Sequence, residues 1–130
     1  MPQTTTVSIN QELLQMIFES AKTLYPRETV LLLRGKKEKT TIKISEPLVP
    51  PLANHGRGFT SFPFHRLPID FSIIGIVHSH PSGNLTPSTG DLNHFYGRIM
   101  MIAGFPFTNE QNIAVYNRDG ERLNLQITEH

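Results

Sequence analysis

The order of elements predicts an α+β fold in which a mixed β-sheet is flanked by helices. Two observations carry this expectation. A helical apolar stripe near the start and a shorter helical segment after Ser88 are separated by several strand-like runs. Those runs do not alternate one-for-one with helices, as a regular βαβ chain would. At 130 residues the chain is long enough to bury a core, and it is expected to form a single domain over 1–130.

The first element is a helix. Leu13, Leu14, Ile17, Phe18, Ala21 and Leu24 recur at helical spacing, and Ser8 or Asn10 can cap its start. Pro26 closes it, because the residue before a proline is pushed out of the α region. Residues 30–33 form a short, wholly apolar run that reads as a buried strand, with Gly35 beginning a turn. Residues 36–39 read as a solvated hairpin tip. Residues 40–45 alternate apolar and polar side chains, the pattern of a half-exposed strand. Pro47, Pro50 and Pro51 mark an irregular connection. Residues 56–64 read as another strand, confined to an edge or an end by Pro63, which cannot donate to a ladder.

Residues 73–80 form the next strand, ended by Pro81 and a segment rich in Gly, Asn and Pro. A helix is expected to open at Ser88 and run through Leu92, Phe95 and Tyr96 toward Arg98. Residues 99–103, 113–116 and 122–127 read as three strands, with a tight turn at 117–120 between the last two.

Composition narrows the function classes. Hydrophobic content of 38% and charged content of 18% are ordinary for a compact soluble protein. A net charge of +1 gives no electrostatic reason to bind nucleic acid or an anionic membrane. Cysteine is absent, which removes disulfides and thiolate metal sites and suits a reducing compartment. No apolar run could span a bilayer, and residues 1–6 lack the basic and apolar regions of a signal peptide. A cytoplasmic protein is the expectation.

The chemistry concentrates in one stretch. On a strand, residues two apart share a face, so His78 and His80 project together. Six residues separate Pro81 from Ser88, and two more separate Ser88 from Asp91, positions that share a helical face. Two imidazoles and a carboxylate form a three-ligand set suited to a catalytic zinc, leaving a fourth position for water. Ser-x-x-Asp also reads as a capping box, which explains Ser88 and Asp91 but neither histidine. Ser79 should point away from the metal and support the strand. His94, one turn beyond Asp91, reads as a plain helix residue; His55, His65 and His130 have no spacing that recommends them. There is no His-Glu-x-x-His helix, no Pro-Cys-x-x-Cys and no phosphate loop.

His-Ser-His-Pro, six residues, Ser, two residues, Asp resembles the signature of the JAMM/MPN+ zinc metalloproteases. The family includes deubiquitinating isopeptidases and small archaeal and bacterial relatives that act on ubiquitin-like or sulfur-carrier proteins. The resemblance implies an MPN/JAMM core, a curved mixed sheet in a cytidine-deaminase-like three-layer α/β/α arrangement. It implies one zinc per chain on His78, His80 and Asp91, and an oxyanion-supporting hydroxyl at Ser88. It also implies an upstream glutamate that opens an apolar strand after a helix-ending proline. Pro26, Glu28, Leu32, Leu33 and Gly35 match that pattern, whereas Leu31 stands where relatives often carry glycine. Taken alone, Glu28 is an ordinary solvated residue between a helix and a strand.

The implied function is zinc-dependent hydrolysis of an isopeptide or peptide bond at the tail of a ubiquitin-like modifier, deubiquitinase- or desampylase-like. Glu28 would be the general base. The partner would be the modifier or its conjugates, with no nucleic acid and no membrane. Two alternatives share the motif: the same chemistry on a sulfur-carrier adduct or a small amide, and a non-catalytic MPN scaffold. Scaffolds typically lose ligands, and none is missing here. For substrate docking, the predicted edge at 58–64 would place Phe62 and Phe64 on one face as a wall for an extended tail. These two phenylalanines read equally well as core.

Overall fold

Asn10 ends one element and starts the next. Val7 and Ile9 are buried while their neighbours are partly exposed, giving strand β1 (Thr6–Asn10). The Asn10 side chain then accepts a hydrogen bond from the Leu13 amide at 2.8 Å and caps helix α1 (Gln11–Leu24). Of the two caps considered, Asn10 is the one used. Strand β1 itself was not expected. The computed structural model describes residues 5–50, 70–93 and 95–130. The remaining elements are β2 (Val30–Glu38), β3 (Thr41–Leu48), β4 (Ile73–His80), α2 (Thr89–Asn93), β5 (Ile99–Gly104), β6 (Ile113–Tyr116) and β7 (Asn124–Thr128).

The strands form one sheet in the order β6-β5-β4-β2-β3-β1-β7. β1 runs parallel to both β3 and β7, and β4 runs parallel to β5. The β2–β3, β2–β4 and β5–β6 pairs are antiparallel. The sheet is therefore mixed, and it curls. β6 and β7 are its two outer strands, yet Tyr116 bridges to Arg122, and the Leu123 amide donates to the Val115 carbonyl at 2.8 Å. The turn at 117–120 forms as expected, closed by the Gly120 amide on the Asn117 carbonyl. The two flanking strands do not make a plain hairpin, because β7 crosses to pair with β1.

Each face of the sheet buries its own core. Leu14, Ile17, Phe18 and Ala21 of α1 pack over Leu31, Leu33, Val77, Met101 and Val115 on one face. Burying a Leu, Ile or Phe side chain stabilises by roughly 1.5–3 kcal/mol, so this stripe suffices to dock the helix. Leu31 is part of that core and pairs with Val77, so a side chain is accommodated at this position. On the other face Ile76, Met100, Ile102, Ala114 and Tyr116 meet Val30, Leu85 and Phe95. The chain around α2 supplies that outer layer among the described residues.

Three expectations need correction. Gly35 lies within β2, and the hairpin turn falls at Lys39 and Thr40. A Cβ on Gly35 would stand 2.2 Å from the Lys43 carbonyl oxygen, so glycine here permits strand contact where a turn was read. Pro47 is paired with Leu33 inside β3 instead of belonging to an irregular connection. Helix α2 stops at Asn93 and does not reach Arg98. The chain must descend to β5, and Gly97, at φ +82°, turns it there against the Ile74 backbone. The strand expected at 56–64, with Phe62 and Phe64, lies outside the described residues, as do His55, His65 and His94. No helix among the described residues is long and apolar enough to cross a membrane.

Candidate metal centre

Alternation along β4 sends Ile76, His78 and His80 to the face away from α1. His78 is fully buried and His80 stands at the strand's open end, mostly covered. Pro81 and the loop after it then bring Ser88 and α2 back over the histidines. Ser88 and Asp91 bond reciprocally: the Asp91 amide donates to Ser88 Oγ at 3.0 Å, and the Ser88 amide donates to Asp91 Oδ2 at 2.8 Å. This is the capping-box arrangement. It also fixes Asp91, only 1% exposed, against both histidines. Oδ2 lies 3.0 Å from His80 Nε2, and Oδ1 lies 3.9 Å from His78 Nδ1, beyond hydrogen-bond range.

The loop is tied down by contacts that sequence reasoning had no means to find. His80 Nδ1 lies 2.6 Å from the Asn84 carbonyl, and Tyr116 Oη donates to the Leu85 carbonyl at 2.7 Å. A main-chain acceptor leaves no signature in the residue types. Tyr116 read only as a strand residue.

Glu28 comes from the other half of the chain. The pairing of Val30 with His78 brings Glu28, two residues upstream, to the level of His80. A cleft of about 370 Å³ is lined by Glu28, His80, Asn84, Ser88 and Asp91, among others. All five residues singled out from sequence therefore converge, four of them on one cleft with His78 buried in the strand that floors it.

The electrostatics follow from this packing. Partial burial pushes the Glu28 carboxyl up; the charge of Asp91 adds to this and His80 opposes it. For Asp91, burial also pushes upward. The bonds from His80 and the Ser88 amide, with both histidines nearby, outweigh it and bring the pKa down to about 2. His80 is raised chiefly by its bond to Asp91, against the opposing effect of burial.

His80 and Asp91 bond each other directly, with His78 3.9 Å from Asp91, and no preformed group of three His, Asp or Glu ligands occurs among the described residues. The donor chemistry nevertheless fits: two imidazoles and an ionised carboxylate converge beside an open cleft, a set that zinc accepts. Releasing the direct His80–Asp91 bond would free one nitrogen and one oxygen for a metal.

Comparison with known proteins agrees with the geometry. The family model described as prokaryotic homologs of the JAB domain matches residues 10–118. A Haloferax volcanii protein named as a probable metalloprotease is 28% identical over 134 residues, covering 93% of this chain and 79% of its own. A JAB1/MPN domain protein from Archaeoglobus fulgidus, 33% identical, aligns with a TM-score of 0.68 over 96% of this chain and 100% of its own. A structure described as JAMM, a metalloprotease-like zinc site in the proteasome and signalosome, is 29% identical. It also gives a TM-score of 0.68, over 98% of this chain and 100% of its own. With the matched span taking in β2, β4 and α2, the chain belongs to the prokaryotic JAB-domain family and has the JAB1/MPN fold.

Proposed function

We propose that this protein is a zinc-dependent hydrolase that cuts an isopeptide or peptide bond at the carboxyl-terminal tail of a ubiquitin-like modifier. The convergence of His80, Asp91 and Glu28 on one cleft, with His78 buried beside Asp91, carries this reading. The name of the Haloferax relative supports a protease, and the JAMM structure, described as a metalloprotease-like zinc site in the proteasome and signalosome, supports zinc.

His78, His80 and Asp91 would hold the metal. Bound there, zinc would polarise a carbonyl and lower the pKa of a water to about 7. Glu28, facing the same cleft, takes a proton from the attacking water and returns it to the departing amine. Partial burial pushes its carboxyl up, the direction that strengthens it as a base for the first transfer. Ser88 Oγ already accepts from the Asp91 amide, so its hydroxyl hydrogen remains to donate to the developing oxyanion. With water as the attacking group, no covalent enzyme intermediate is required.

The test is to incubate zinc-loaded protein with a ubiquitin-like isopeptide conjugate, with and without chelator, and analyse the products by mass. Release of the intact modifier ending at its own carboxyl terminus, abolished by chelator, is expected. A conjugate left intact while a sulfur-carrier adduct or small amide is cleaved would replace the substrate. No cleavage of any of the three would return the protein to a scaffold role.

A further inference from the structure

We infer that Ser79, the residue between the two histidines, is a positioning residue for Glu28 and acts through the amide of Thr29. The inference rests on the reading of Glu28 as general base. Ser79 is 2% exposed and lies on the opposite face of β4 from His78 and His80, so it does not reach the cleft.

Its contacts lead to Glu28 by another route. Ser79 Oγ accepts from the Thr29 amide at 2.6 Å, and the Ser79 amide donates to the Thr29 carbonyl at 2.9 Å. In an ordinary antiparallel pair the Thr29 amide would donate to a main-chain carbonyl, but here a side chain has taken that place. Thr29 Oγ1 in turn donates to the Ser20 carbonyl of α1 at 3.3 Å. Thr29 is thereby clamped between β4 and α1 at the point where the chain enters β2.

The peptide unit makes this clamp matter. The Thr29 N–H lies in one rigid plane with the carbonyl and Cα of Glu28. Holding that N–H therefore orients the plane from which the Glu28 side chain departs. The same strand that presents the histidines on one face thus aims the carboxylate from its other face. A polar residue is needed between the histidines for this reason, beyond its tolerance in a strand.

The experiment uses the zinc-loaded full chain and the ubiquitin-like conjugate. Ser79→Ala should lower kcat about 10- to 100-fold, as expected for a small misplacement of a reacting group. KM and zinc content should hold, and hydrogen exchange at the Thr29 amide should quicken. Ser79→Thr, which keeps the oxygen, should restore kcat. In the Glu28→Gln background, Ser79→Ala should cause no further loss, because its effect passes through Glu28. A folded, zinc-loaded Ser79→Ala with full kcat, alongside an inactive Glu28→Gln, would overturn the inference. An active Glu28→Gln would overturn the base assignment, and this inference with it. If Ser79→Ala does not fold, Ser79→Cys decides: it keeps the side chain's shape and weakens the acceptor for the Thr29 amide, and full kcat in that folded, zinc-loaded variant would overturn the inference.

Discussion

His80 and Asp91 are joined by a 3.0 Å bond from Nε2 to Oδ2, while the other His80 nitrogen faces the Asn84 carbonyl. Both of its partners are acceptors, the Asp91 carboxylate foremost, and they raise the His80 pKa by favouring the protonated ring. This pair has a pH signature. The Asp91 pKa is lowered to about 2 from 3.8, so its contribution is present above 3.8 and lost as pH falls through about 2. The His80 pKa is raised above 6.5, so its contribution is complete below 6.5 and lost as pH rises through the folded value. With chelator present, the stability difference between wild type and Asp91→Asn should be greatest between pH 3.8 and 6.5. A difference that does not decline as pH rises above 6.5 would dissolve the pair.

Zinc held by His80 would compete with a proton for the imidazole and with the bond to Asp91, so uptake should release protons and weaken as pH falls. One zinc per chain is expected by metal analysis. Full occupancy in a His78→Ala, His80→Ala double variant would remove these residues from the ligand set.

Glu28→Gln should fold and keep its zinc yet lose nearly all turnover. Its amide preserves shape and removes the proton acceptor. Wild-type cleavage by this variant would require another base.

Ser88 caps α2 and is the proposed oxyanion donor, and the two roles separate in experiment. Ser88→Ala loses the cap on α2, worth about 0.5–2 kcal/mol, which thermal unfolding of the chelated protein reads. It also loses an oxyanion donor, and kcat should fall about 100- to 1000-fold. A stability loss with unchanged kcat would leave Ser88 as a cap alone.

Gly35→Ala should destabilise without touching the cleft. A Cβ there meets the Lys43 carbonyl oxygen at 2.2 Å and forces the β2–β3 backbones apart. Overpacking typically costs about 1–3 kcal/mol, visible as a lower unfolding midpoint. An unchanged midpoint would mean the strands have slack.

The site was readable because its spacing is local. His78 and His80 are two apart on a strand, and Ser88 and Asp91 are three apart at a helix start; each pair declares its face without any knowledge of the fold. Glu28 needed the resemblance, since only the pairing of β2 with β4 places it there. The misreadings are tertiary in origin. β1 exists because β3 and β7 flank it, and five residues alone do not advertise strand pairing across the chain. Gly35 reads the same in sequence whether it turns a hairpin or admits a neighbouring backbone. Leu92, Phe95 and Tyr96 have helical spacing, but Phe95 packs against the core beyond the end of α2 and beneath Arg118.

The pairing of β1 with β7 sets a timetable for biosynthesis. Thr6 and Asn124 are register partners 118 residues apart. At about 5–20 residues per second, the ribosome makes the second some 6–24 seconds after the first. Glu28, His78, His80, Ser88 and Asp91 have all been made before β7 begins, while β1 still lacks its outer neighbour. Until β7 is made, the β1 strand has no partner for its outer row of amides and carbonyls.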